Sequence, residues 1–90
     1  MEASDLGTAI EAARAGADAI LLDNMSPQEV AEVDKALREL GLRDRLILEA
    51  SGGITEETAH LYAPYVDVIS IGALTHSAKA LDMSLELEDI

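Results

Sequence analysis

The pattern of apolar runs and helical segments predicts an α/β fold of parallel βα units, either a partial (half) TIM-like barrel or a small open parallel sheet. Three observations carry this. Runs rich in Leu, Ile and Val recur at roughly 25-residue spacing, separated by segments of helical periodicity, as βα units require. Tyr62 and Tyr65 are the only aromatic residues, so the core must be built from Leu, Ile, Val and Ala, which suits buried parallel strands covered by Ala-rich helices. The connections are short, and strands that alternate with helices demand a parallel sheet with right-handed crossovers. Three such units cannot close an eight-stranded barrel, which takes about 200 residues or more. Residues 1–90 therefore form one domain, as a small open sheet or as a piece of something larger.

Residues 2–4 are too short to assign. From Leu6 to Ala15 apolar residues recur at helical spacing, with Ser4 or Asp5 as N-cap and Gly16 as C-cap. Residues 17–24 are an apolar run bounded by polar residues, a buried strand. Ser26-Pro27-Gln28-Glu29 opens the next helix with a Ser N-cap, Pro at the first helical position and Glu at the third, a capping box. Val30, Val33, Leu37 and Leu40 mark its apolar face and Gly41 its end. After a polar connection over residues 42–45, a second strand spans 45–49. Thr55 caps a short third helix that ends near Pro64, and a third strand spans 66–73. That strand leaves through Gly72 into Leu74-Thr75-His76-Ser77. A last helical segment covers 78–81, and residues 85–90 alternate apolar and acidic side chains, as an extended tail or a frayed helix.

Eighteen acidic side chains against six basic ones give a formal net charge of −12, which would repel a phosphate backbone, so nucleic acid is not an expected partner. With no cysteine, disulfides, thiolate metal sites and a cysteine nucleophile are excluded. No apolar run approaches membrane-span length and the N-terminus is acidic, so a soluble cytoplasmic protein without a membrane partner is expected. Open edges on a hydrophobic sheet invite pairing, which makes a homo-oligomer the expected state.

Polar residues collect just after each apolar run: Asp23-Asn24, then Glu49 with Ser51-Gly52-Gly53, then Gly72 to His76. In parallel α/β folds the carboxyl ends of the strands hold the ligand site. Glycine amides, with the start of the following helix, would receive a phosphate without any lysine. Asp23, and Glu2 if it too lies at a strand end, are acceptors suited to ribose hydroxyls or to Mg²⁺ held partly through water. A phosphorylated sugar with a metal is the natural ligand class. Each feature also has a plainer account: Asp23-Asn24 as an Asx turn, Gly52-Gly53 as a tight turn before a Thr55 cap, His76 as a surface histidine. Ser51 has no His–Asp partner and is no nucleophile. His76 is the single candidate for proton chemistry.

As an ordered set, Ile20-Leu21-Leu22-Asp23-Asn24-Met25-Ser26-Pro27, Leu48-Glu49-Ala50-Ser51-Gly52-Gly53-Ile54, Ile71-Gly72-Ala73-Leu74-Thr75-His76-Ser77 and Ala80-Leu81-Asp82-Met83-Ser84-Leu85 resemble the C-terminal part of quinolinate phosphoribosyltransferase. That family makes nicotinate mononucleotide for NAD synthesis from quinolinate and phosphoribosyl pyrophosphate. The resemblance spans almost the whole chain. It implies a modified TIM-like barrel with fewer than eight strands, beside an N-terminal α/β sandwich that completes the site of the other subunit in a dimer. It implies that Asp23 and Glu2 contact the ribose hydroxyls or Mg²⁺, and that Ser51, Gly52, Gly53, Gly72 and Ala73 cradle the 5-phosphate. Glu49, Thr75 and His76 belong to the motifs without an assigned step. The family's Glu-Val-Glu strand is represented by Glu2 alone, behind a Met1 that reads as an added or internal start. The Arg and Lys residues that hold quinolinate and pyrophosphate in the family are not in this chain. Its six basic residues (Arg14, Lys35, Arg38, Arg43, Arg45 and Lys79) fall in helices and connections. The expectation is a fragment that supplies the ribose-phosphate side of the site and is inactive alone, with a non-catalytic, self-associating α/β scaffold or phosphate-binding module as the alternative.

Overall fold

The computed structural model describes residues 1–72 and 74–78. The chain runs β1 (Glu2–Ala3), α1 (Leu6–Arg14), β2 (Ala19–Asp23), α2 (Pro27–Glu39), a 3₁₀ turn (Arg43–Arg45), β3 (Ile47–Ser51), α3 (Glu56–Tyr62), β4 (Val68–Ile71) and β5 (Leu74–Ser77). The helix starts follow from their caps. Asp5, Ser26 and Thr55 each accept the backbone N–H three residues on, and Thr8, Glu29 and Thr58 reach back to close a capping box. The second and third expected strands are each displaced at their start. Residues 43–45 form the 3₁₀ turn, so β3 begins two residues later than the apolar run implies and carries Ser51 inside the strand.

The five strands form one sheet in the order β1-β2-β3-β4-β5. The first four are parallel and the fifth is antiparallel. Strands that neighbour each other in chain order, with every crossover helix on one side, make a singly wound sheet like a length of barrel wall. It does not close among the described residues. The segment after Gly72, to which the sequence assigned no element, folds back: Leu74–Ser77 is β5, with Ile71 opposite Leu74 and Val68 opposite Ser77. Two residues separate Ile71 from Leu74, and Gly72 takes φ +60° in that turn, a conformation glycine enters without a Cβ penalty. The expected helical segment and tail lie outside the described residues from position 79 onward.

The strands, expected to be buried, are covered by the helices on one face only. Ala3, Ile20, Leu22, Leu48, Ala50 and Ile69 are buried under the helices, alternating along each strand with half-buried or exposed residues. The helices contribute Ala9, Ala12, Ala13, Val30, Val33, Leu37, Ala59 and Tyr62 to this one core. Each fully buried Leu, Ile or Val contributes about 1.5–3 kcal/mol, more than a helix cap at roughly 1 kcal/mol, so the covered face sets the stability. The other face bears Glu2, Leu21, Asp23, Ile47, Glu49, Ser51 and Val68, and Ile47 is 48% exposed. No described helix is long and apolar enough to cross a membrane.

Candidate functional site at the carboxyl edge

The uncovered face and the carboxyl edge of the sheet bring most of the candidate residues together. Glu2 pairs with Leu21, and Leu21 in turn with Glu49. In a parallel sheet, paired residues point to the same face, so Glu2 and Glu49 flank Leu21, with Cα atoms roughly 10 Å apart. Asp23 stands two residues further along β2, on the order of 8 Å from Glu2 in Cα position. Its register partner is Ser51, and the Ser51 hydroxyl donates to Asp23 Oδ1 at 3.4 Å. The pair is half-buried, so the carboxylate keeps most of its acceptor capacity for a ligand.

The loop after β2 is pressed against the loop after β3. Asn24 has φ +57°, a left-handed conformation that Asn tolerates better than most residues, and its N–H donates to the Ser51 carbonyl at 2.9 Å. Gly52, at φ +89°, fits into this approach. A Cβ there would stand 2.8 Å from the Asn24 nitrogen and 2.9 Å from Asp23 Oδ1. Gly53, at φ +73°, faces open space. The amides of Gly52 and Gly53 have no hydrogen-bond partner among the described residues, so both are available to an anion.

The helix start expected to assist them is partly taken up. Thr55 and Thr58 close the cap of α3, and Glu56 and Glu57 occupy its first turn. Their carboxylates complement the helix dipole and repel a second anion. An anion at this edge would meet the unpaired glycine amides before these carboxylates.

The outer strands divide the remaining candidates. Gly72 lies at the same edge in the β4–β5 turn. Residue 73, the Ala73 of the expected cradle, lies outside the described residues. Thr75 is opposite Ser70 and His76 opposite Ile69. Directly opposed residues share a face, so Thr75 joins the open face with Ser70, while His76 is on the helix-covered side with buried Ile69. His76 is thus separated from Asp23 and Ser51 by the thickness of the sheet. Ser70 escaped sequence reasoning, although its alternation with Ile69 and Ile71 marks it as facing away from the core.

Glu2 and Asp23 fit a cation bound partly through water and ligand oxygens, the habit of Mg²⁺. No group of three or more His, Asp or Glu side chains suited to a metal exists among the described residues, so the donors do not form an all-protein cage. The described arginines and their partners lie at the opposite, amino edge. Arg43 pairs with Asp34 at 2.8 Å and with Asp67 at 3.1 Å, and donates to the carbonyls of Leu46 and Tyr65. Arg45 donates to the Ala13 carbonyl at the end of α1.

A family model for the C-terminal domain of quinolinate phosphoribosyl transferase matches residues 1–86. This chain belongs to that family. It is 51% identical over 88 residues to a probable nicotinate-nucleotide pyrophosphorylase (carboxylating) of Archaeoglobus fulgidus, covering 97% of this chain and 34% of that protein. It is 49% identical over 83 residues to the corresponding probable enzyme of Methanothermobacter thermautotrophicus, covering 91% and 30%. With the human nicotinate-nucleotide pyrophosphorylase (carboxylating) it shares 44% over 88 residues, covering 97% and 29%. The chain therefore spans about a third of the length of the curated relatives it matches. The quinolinate phosphoribosyltransferase domain seen here holds its acidic and glycine-rich motifs at one sheet edge, on adjacent strands.

Proposed function

We propose that the carboxyl edge of this sheet is the ribose-phosphate wall of a site that forms nicotinate mononucleotide from quinolinate and phosphoribosyl pyrophosphate. The observation that carries the reading is the contact of Asp23 with Ser51 beside Gly52. It sets an acceptor for ribose hydroxyls next to two amides suited to a phosphate. Glu2 and Asp23 accept the hydroxyls, Ser51, Gly52 and Gly53 receive the 5-phosphate, and Gly72, with Ala73, borders it.

Transfer of the phosphoribosyl group releases pyrophosphate and is coupled to decarboxylation of quinolinate. Positive charge builds on the sugar as the leaving group departs, and the carboxylates of Glu2, Asp23 and Glu49 on the ribose side stabilise it. Mg²⁺, when bound, neutralises charge on the pyrophosphate, and Glu2 and Asp23 would hold it partly through water. The wall supports only half of this reaction. Two polyanionic substrates need cations, and Arg14, Arg38, Arg43 and Arg45 end helices or form the turn at the amino edge. The 90-residue chain alone is expected to be inactive, in a cytoplasmic setting and without a nucleic-acid partner.

Ribose 5-phosphate should shift the amide resonances of Gly52, Gly53 and Gly72 in the ¹⁵N-labelled chain. No shift at any of them would leave the second reading, a non-catalytic scaffold that self-associates. The exposed Ile47 beside Leu21 and Val68 on the uncovered face favours that alternative. A clean monomer by light scattering at high concentration would count against it. Nicotinate mononucleotide formed by the purified chain would overturn the expectation of inactivity.

A further inference from the structure

The loop of residues 24–26, which follows Asp23, is fixed at three points. Asn24 donates to the Ser51 carbonyl, Ser26 is tied into the capping box of α2, and between them the Met25 carbonyl accepts from the Tyr62 hydroxyl at 3.0 Å. Tyr62 is the last residue of α3 and is 7% exposed, and Met25 is 4% exposed. This bond spans 37 positions in the chain. It is the one described side-chain bond that ties α3 to the loop following the candidate ribose acceptor. A buried carbonyl deprived of its partner is driven to find another, so removing the hydroxyl frees the loop to lift from Gly52, where contact is tight enough to exclude a methyl group.

We propose that Tyr62 is a positioning residue for Asp23: its hydroxyl holds the loop at Met25 down on Gly52 and so fixes the Asp23 carboxylate beside Ser51. The ligand consequence rests on the reading of Asp23 as a ribose acceptor, but the hold on the loop does not. A phosphate needs only Ser51 and the glycine amides, whereas a ribose also needs the carboxylate in place. Loss of the Tyr62 hydroxyl therefore acts selectively on the sugar.

The test uses Tyr62→Phe, which keeps the buried ring, with Asp23→Asn and the double variant. Amide hydrogen exchange should quicken about tenfold or more at Asn24 in Tyr62→Phe while Ile20 and Leu48 keep their protection, the mark of local rather than global opening. Ribose 5-phosphate affinity should fall about fivefold, the worth of an ordinary hydrogen bond, with inorganic phosphate affinity changed less than about twofold. Added to Asp23→Asn, Tyr62→Phe should weaken ribose 5-phosphate no further, because both act through one carboxylate. Unchanged exchange at Asn24 in folded Tyr62→Phe overturns the proposal, as does an equal loss of ribose 5-phosphate affinity with and without Asp23. If the unaltered chain binds the two ligands equally, the ribose reading fails, and the exchange result alone still decides whether Tyr62 holds the loop.

Discussion

The two edges of the sheet carry opposite electrostatic designs. At the amino edge the buried charges are answered. Asp34 lies between Arg38 at 2.9 Å and Arg43 at 2.8 Å, Arg43 adds Asp67 and two carbonyls, and Asp34 holds the Arg38 guanidinium protonated beyond its usual range. At the carboxyl edge, Asp23 has one long hydrogen bond, the glycine amides have no partner among the described residues, and Glu2 and Glu49 form no ion pair there. A buried charge left unpaired costs several kcal/mol, whereas a half-exposed one is solvated and costs little. The first edge is built to hold the fold, and the second, on the function proposed above, is left open for a ligand. Substitutions should separate the two.

The largest effect is expected at the amino edge. Arg43→Ala leaves Asp34, with a side chain only 9% exposed, facing a single exposed arginine, and should cost about 3–5 kcal/mol. That is a large part of the roughly 5–15 kcal/mol that stabilises an ordinary domain. Urea unfolding measures it, and a loss below 1 kcal/mol would break the contrast between the edges.

Gly52→Ala should come next, at about 2–3 kcal/mol, since it combines a strained backbone with a clash against Asn24. Gly53→Ala has the same φ problem but open space, and should cost about 1–2 kcal/mol. Equal losses would mean that the close approach of the two loops does not matter.

Asp23→Asn should change stability by less than about 0.5 kcal/mol while abolishing the preference for ribose 5-phosphate over inorganic phosphate. A large loss of stability would make Asp23 a structural residue and remove the distinction at its centre.

The smallest effects are titrations of opposite sign. The Asp5 carboxyl is held below its usual range, chiefly by the Thr8 backbone N–H. Its folded pKa is thus below the unfolded one, so its cap is present above the unfolded value and lost as pH falls through the folded one. Helix content of α1, followed by Thr8 amide shifts, should decline slightly in acid. Burial, with the Glu29 carboxylate, raises the Tyr62 hydroxyl above its usual range. Its contribution is complete below the unfolded value of about 10 and lost as pH rises through the folded one, so alkali should release the loop at Met25. Absorbance of tyrosinate with Tyr65 replaced by Phe reads that step.

Much of this was legible in the residues. Ser26-Pro27-Gln28-Glu29 states its helix start because a capping box is made within four residues, and Thr55 does the same. The gathering of Asp23, Ser51-Gly52 and Gly72 at one edge was legible too, since parallel strands all end on the same side. Leu74–Ser77 carries no element legible in the sequence because a four-residue strand with two core-facing positions has no periodicity of its own, and its pairing with β4 is what makes it a strand. Arg43 read as part of a polar connection. Nothing local marks an arginine whose partners are nine and twenty-four positions away.

By itself, the sequence determined the alternation of helices and strands from α1 to β4, the helix caps, the edge on which most of the motifs gather and the family they belong to. These depend on neighbours within a turn or on the ordered recurrence of short motifs. Only the tertiary structure decided which face each side chain takes. Strand register set Glu2, Asp23, Glu49 and Ser51 on the open face and His76 on the covered one. Non-local packing buried Arg43, brought Tyr62 to Met25 and made Gly52 the one residue type that fits against Asn24. A one-residue shift in pairing would reverse every facing, and the continuous apolar runs Ile20-Leu21-Leu22 and Leu46-Ile47-Leu48 do not by themselves fix that shift.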